Sequence, residues 1–416
     1  MIAQFAKADS RMETDYRGES ATVPELDLLD KVGWDFVDAS TTYLTHGVHP
    51  YPAKFIPQIP NALIQALSSV GETVADIFCG SGTTLVETLI LKRNALGLDA
   101  NPLACLISRA KTARPRLEDI QALQEISNRA LASFESVASR QQFSLFAGEA
   151  SGERAAPPTS HAIRFWFDDF IIDELSEIRG WCTACPSEIS RLLADVAFSS
   201  IVVAVSRQDS DTRYVRRQKN LKPGDAFRRY ARALTDTVEA AKQFAAVVEE
   251  RFSCRVIHAN LLDTPKVRPI DLVVCSPPYP NAYSYHLYHM TRMLWLDMDP
   301  YEFKRIEIGS HRKYSRRGPK RAGVETFQAE LKTILPWVGQ HLRTNRYACF
   351  VVGDSIIDGR IVYNAEVLAA VARDCGFAEV KRVHRKLQET RKAFNPAYGK
   401  IKTEHIVVLQ NLQRGV

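Results

Sequence analysis

Four consecutive residues, Ser276-Pro277-Pro278-Tyr279, follow directly on the apolar run IDLVVC. Proline fixes φ and has no N–H, so this arm is rigid and its carbonyls remain free acceptors. A hydroxyl before it and an aromatic ring after it suit a planar base that bears an amino group. The ring of Tyr279 can stack on the base, while the Ser276 hydroxyl and a proline carbonyl accept from the amino hydrogens. An exocyclic amino nitrogen is conjugated with its ring and is a poor nucleophile. Acceptors that favour a tetrahedral nitrogen gain strength as that nitrogen reacts, and stabilisation of this kind raises rate. Asn281, Tyr283, Ser284 and Tyr285 come next in the chain and are expected to shape the same pocket.

A second motif lies far upstream. Asp76-Ile77-Phe78-Cys79-Gly80-Ser81-Gly82-Thr83-Thr84 ends one apolar run and opens a helical pattern, and the next apolar run, NALGLD, ends in Asp99. Glycines let a backbone turn tightly and approach a ligand, and an acid closing the second strand suits two ribose hydroxyls. The turn has neither GxGxxG nor the lysine of a phosphate loop, so a nucleoside without pyrophosphate fits it better. Upstream again, His49-Pro50-Tyr51-Pro52-Ala53-Lys54-Phe55 is too proline-dense for a helix.

D-x-F-x-G-x-G-T-T followed by L-D-x-N-P resembles the cofactor site of amino-methyltransferases acting on nucleic acids. Ser276 to Tyr279 resembles the catalytic motif of the same family, in the form of its cytosine-N4 branch. The resemblance implies S-adenosylmethionine as cofactor. It sets the methionine end over Phe78 and Gly80, with Asp76, Gly82 and Thr83 of the same turn as further cofactor-binding residues. The ribose then falls on Asp99, and the adenine near Ala100, Asn101 and Asn260. Tyr51, Lys54 and Phe55 match a segment that folds over the methionine end, with Lys54 meeting its carboxylate. The order of parts matches one of the family's circular arrangements. The departure is a long helical stretch after Asp99.

These motifs need a sheet to carry them. Strand-like runs at VADIF, NALGLD, RVIHAN, IDLVVC, YACFVVG, AEVKRVHRKL and TEHIVVLQ alternate with helical patterns, which predicts an α/β, doubly wound, Rossmann-like sheet with a helical insertion. The expected organisation is a loosely ordered lead-in over 1–30 and a catalytic domain from 31–104 and 251–416. A helical insertion over 105–250 is a candidate for target recognition, and a basic loop spans 304–323.

The formal net charge is +6, and its placement matters more than its size. Arg213, Arg216 and Arg217 fall in one basic stretch; Arg312, Lys313, Arg316 and Arg317 fall in another, just after the arm. Both suit phosphate contacts, so double-stranded DNA is the expected partner; the resemblance adds a cognate restriction endonuclease as a second. Cys182 and Cys185 form one CxxC without a second pair at zinc spacing, so no metal is expected. No apolar run approaches the roughly 18 residues of a membrane span, and the protein is read as cytoplasmic. Two other enzyme readings share the scaffold, adenine-N6 methylation of DNA and guanine-N2 methylation of RNA. An inactive nucleic-acid-binding module is the reading from another class.

Overall fold

The structure is a computed structural model and describes residues 25–142, 154–281, 283–386 and 403–413. Its strands are β1 (Thr73–Asp76), β2 (Asn94–Asp99), β3 (Gln208–Ser210), β4 (Arg213–Arg216), β5 (Cys254–His258), β6 (Ile270–Cys275), β7 (Leu342–Gly353), β8 (Ser355–Ile357), β9 (Arg360–Val362), β10 (Phe377–Lys386) and β11 (Thr403–Asn411). Seven of them form one sheet in the order β10-β11-β7-β6-β1-β2-β5. The five from β7 to β5 are parallel, and β11 runs antiparallel to both β7 and β10.

The chain leaves β1 toward β2 on one side and returns to β6 on the other. That reversal opens a crevice at the carboxyl ends of the strands, where open α/β sheets bind ligands. Asp76 ends β1, Asp99 ends β2, Ser276 follows β6 and Asp354 follows β7. The sequence motifs therefore meet at one edge of the sheet because of topology alone.

Alternation along the strands sends side chains to two buried faces. Val74, Leu272, Val274 and Val351 pack with the helix Gln58–Leu67. Ala75, Val273, Cys275 and Phe350 pack with Leu331, Leu335 and Trp337 of the helix Val324–His341. Full burial of each such aliphatic side chain contributes about 1.5–3 kcal/mol.

The lead-in expected up to residue 30 is corrected at its end. Glu25–Leu28 is helical, Leu29 is fully buried, and the Trp34 indole donates to the Leu29 carbonyl at 3.0 Å. These apolar residues cover the first face of the sheet. Residues 1–24 lie outside the described residues, as do 148–153 of the expected exposed loop.

Between Asp99 and β5 the chain is mostly helical, as the pattern predicts, with long helices at Leu117–Gln142, Asp169–Thr183, Glu188–Val202 and Asp225–Val247. Their core is shared with Leu103 and Ile107, which follow β2, and with Met293, Trp295 and Phe303, which follow the Pro-Pro arm. The basic run at 208–216 is a β-hairpin, β3–β4, and not part of a helix. The segment 304–323 is also more than a loop. It contains the helix His311–Ser315, and buried Tyr314 and Ala322 pack on Ile357 of β8. Among the described residues, no helix is long and apolar enough to cross a membrane.

Candidate active site

The crevice holds a cavity of about 700 Å³. One end is built by the glycine turn. Gly80 has φ +48° and Gly82 φ +79°, a region that L side chains rarely adopt. A Cβ on Gly82 would lie 3.0 Å from the Ser108 Cα, so this glycine also lets the helix Pro102–Lys111 pack close.

Asp76 and Gly82 do not line the cavity, which corrects their expected contact with a ligand. Asp76 is buried beneath the turn. It accepts from the Thr84 hydroxyl at 2.6 Å and the Phe78 N–H at 3.1 Å. Burial pushes its pKa up to about 7, against those two hydrogen bonds. Its work is to shape the loop.

The other members of the expected cofactor set line the cavity: Tyr51, Lys54, Phe55, Phe78, Gly80, Thr83, Asp99, Ala100, Asn101 and Asn260. Asp99 accepts from the N–H groups of Gly80 and Asn101, each at 2.8 Å. Burial lifts its pKa to about 6, opposed first by the Asn101 and Gly80 amides. Lys54 donates to the His46 carbonyl at 2.8 Å, and burial lowers its pKa. Tyr51 stacks on Tyr285 and His289, with centroids 5.6 and 5.0 Å away. Ser81 and Thr83 carry buried hydroxyls without a hydrogen-bond partner among the described residues. A carboxylate for hydroxyl donors, an amine for an acid, three aromatic rings and unpartnered hydroxyls match the chemistry of a nucleoside bearing an amino acid.

The other end belongs to the Pro-Pro arm. Ser276, Pro277, Pro278 and Tyr279 all line the cavity. The Tyr279 hydroxyl donates to the Val351 carbonyl at 3.1 Å and lies 3.2 Å from the Ser276 hydroxyl. Burial holds its pKa well above the usual phenol value, so it stays a neutral donor. Behind the arm sits Gly309, at φ +70°, where a Cβ would lie 2.6 Å from the Tyr279 carbonyl and 3.0 Å from that of Pro278.

Tyr283 and Tyr285 line the cavity as expected; Asn281 and Ser284 do not. Asn281 donates to the Ile356 carbonyl at 2.6 Å and meets the His311 ring at 2.7 Å, while Ser284 pairs with Ser310 at 3.0 Å. Both fasten the 304–323 segment. Sequence reasoning missed the acids Glu307, Asp354 and Glu404, which complete the wall. For Asp354 a signal existed, its place right after an apolar strand.

The two basic stretches flank the same short helix, Tyr285–Tyr288. From the β3–β4 hairpin, Gln208 donates to the Tyr288 carbonyl at 3.3 Å, and the Tyr214 hydroxyl meets Met290 Sδ at 3.1 Å. Arg213 and Arg217 both pair with Asp209, at 3.4 and 3.3 Å, and Arg216 lies 4.7 Å over the Phe165 ring. On the other side Arg312, Arg316 and Arg317 are exposed. Lys313 is bonded to the Glu307 carbonyl, so it serves the local fold.

Residues 6–110 match a family model described as DNA methylase. The type II methyltransferase M.MjaII of Methanocaldococcus jannaschii is 38% identical over 101 residues, covering 23% of this chain and 18% of that protein. The type II methyltransferase M.MvaI of Kocuria varians is 26% identical over 282 residues, covering 63% of this chain and 60% of that protein. The chain thus spans less than two thirds of the length of either relative.

Proposed function

We infer that this chain belongs to the amino-group DNA methyltransferase family and transfers a methyl group from S-adenosylmethionine to the exocyclic N4 of a flipped cytosine in DNA. One observation carries the reading: the glycine turn with Asp99 and the Ser276–Tyr279 arm open into a single cavity.

When bound, the cofactor supplies an electrophilic methyl group on a sulfonium. Asp99 accepts from ribose hydroxyls, Lys54 faces the amino-acid carboxylate, and Tyr51, Phe55 and Phe78 exclude water. Ser276 and the Pro277 carbonyl hold the amino hydrogens, and Tyr279 stacks on the extruded base. Extrusion gives access to an atom that the duplex hides. The exposed arginines of 304–323 contact phosphates, and the insertion with its β3–β4 hairpin reads the target. A paired restriction endonuclease and a cytoplasmic location belong to the same reading.

Ser276 supports cytosine over adenine, since the adenine sites of this family more often carry Asp or Asn there. The test is mass spectrometry of nucleosides from DNA and RNA incubated with the protein and labelled cofactor. N4-methylcytosine in DNA is the expected product. N6-methyladenine alone would replace the cytosine assignment, and label confined to RNA would overturn the DNA assignment.

A further inference from the structure

Four carboxylates line the cavity: Asp99, Glu307, Asp354 and Glu404. Three are already engaged. Asp99 accepts from two backbone amides. Glu307 accepts from the His286 ring at 2.6 Å and from the N–H of Tyr285 at 2.5 Å. Glu404 pairs with Arg385 at 2.6 Å. Asp354 differs. Its Oδ1 is buried and has no hydrogen-bond partner among the described residues; the His405 Nε2 stands 3.9 Å away.

The topology sets Asp354 beside the arm. It follows Gly353 at the end of β7, and β7 adjoins β6 on the side away from β1 and the glycine turn. The same strand holds the Tyr279 hydroxyl through Val351. Behind Asp354 an imidazole pair leads outward. His405 on β11 faces His384 on β10, Nδ1 to Nδ1 at 2.9 Å, and His384 is exposed. Two ring nitrogens at that distance share one proton. When His405 carries it, its Nε2 is a bare acceptor toward Asp354.

Methylation leaves the target nitrogen with one hydrogen too many, and the Ser276 hydroxyl is no base at neutral pH. We propose that Asp354 takes this proton and that His405 and His384 pass it to solvent. The inference rests on the amino-methyltransferase reading above. The N–C bond forms as the S–C bond breaks, and the N–H electron pair returns to nitrogen as its proton moves to the Asp354 carboxylate. Rotation of the carboxylate closes the 3.9 Å to His405 Nε2 and the proton passes across, the His405 Nδ1 proton moves to His384 Nδ1, and His384 releases its other ring proton to water. No oxidant or further reactant is involved.

The acceptor must be ionised. Burial raises the Asp354 pKa, with His405 opposing. Burial, His384 and Arg382 lower that of His405, while Asp354 and Glu366 oppose; Arg382 is itself paired with Glu366 and Glu379. Transfer should therefore fall as pH drops through a limb lying above the ordinary aspartate range.

The test is single-turnover transfer of tritiated methyl to DNA at cofactor concentrations that saturate the enzyme at every pH, for the wild type, Asp354→Asn, Asp354→Glu and His405→Gln. General-base catalysis contributes roughly 100-fold or more, so Asp354→Asn should slow transfer at least tenfold and lose the acid limb, with calorimetric cofactor affinity unchanged. Asp354→Glu should recover most of the rate with an acid limb displaced from the wild-type position, and His405→Gln should slow transfer while keeping the limb. An Asp354→Asn protein with wild-type rate, or a slowed one with the limb intact, overturns the proposal alone. If Asp354→Asn fails to bind cofactor, an Asp354→Glu profile with the wild-type limb position overturns it and a displaced limb supports it. A wild type that methylates no nucleic acid overturns the functional reading and the proposal together.

Discussion

The Gly80 N–H donates to Asp99 Oδ2 at 2.8 Å, so the turn after β1 and the end of β2 form one unit. The bond does two things. It sets the height of the glycine loop against the second strand, and it fixes the orientation of the Asp99 carboxylate on the cavity wall.

The first prediction follows from that carboxylate. Asp99 must be ionised to accept from two hydroxyls, and its pKa is raised to about 6. The sign is therefore fixed: cofactor affinity should be constant well above that value and should weaken as pH falls through it. Asp99→Asn should bind more weakly at neutral pH, by about 1.5–3 kcal/mol for a hydrogen bond to a charged group, and with little dependence on pH. Calorimetric titration with S-adenosylmethionine across this range checks both. An acid-independent affinity in the wild type would remove Asp99 from the ribose.

A second prediction concerns Gly309. Its left-handed φ and the 2.6 Å between an added Cβ and the Tyr279 carbonyl leave no room for a side chain. Gly309→Ala must move either the arm or the 304–323 segment. Turnover should drop by an order of magnitude or more, because small displacements of reacting groups are costly. Cofactor affinity should hold, since the glycine turn lies beyond the far side of β6. Calorimetry and steady-state transfer on one preparation separate the two; full activity in this variant would show that the arm tolerates the shift.

Much of the fold was legible because the central strands of the sheet are apolar runs closed by turns. NALGLD and IDLVVC coincide with β2 and β6 to the residue. The strand expected at 347–353 begins earlier, at Leu342, where the helix Val324–His341 runs straight into it. The β3–β4 hairpin was not legible: its strands are three and four residues long, the first without an apolar residue and the second with two arginines, and it is held by Tyr288 and Met290 from a distant part of the chain. In the site, the two local motifs announced themselves. Glu307 and Glu404 did not, and Asp354 carried only its place after an apolar strand; the packing of β7, β11 and the 304–323 segment brings the three acids to one wall.

The basic segment gives a third prediction. Arg312, Arg316 and Arg317 are exposed, whereas Lys313 is bonded to the Glu307 carbonyl. Replacing the three arginines with alanine should weaken DNA binding and flatten its log–log salt dependence by about 0.9 for each phosphate no longer neutralised. Lys313→Ala should act differently, lowering stability with little change of slope. Binding isotherms over a salt series are the measurement. A slope unchanged in the triple variant would assign the phosphates to the β3–β4 hairpin instead.

The last prediction separates the two ends of Tyr279. Its ring borders the cavity, while its hydroxyl is tied to the Val351 carbonyl on β7. Tyr279→Phe keeps the ring and removes the tie. Val351 is also held in register with Ile406 in the β7–β11 ladder, so the loss should be modest, about 0.5–1.5 kcal/mol of stability. Turnover should fall only as far as the ring is freed to move. Tyr279→Ala removes the stacking surface, which is worth about 1–3 kcal/mol per base. It should therefore weaken binding to DNA carrying a mismatched, easily extruded cytosine, and leave cofactor affinity as it was. Thermal denaturation reads the first variant and fluorescence anisotropy on matched and mismatched duplexes reads the second. If the alanine variant bound both duplexes like the wild type, Tyr279 would not be the platform for the base, and Tyr283 would be the next aromatic on the cavity wall to test.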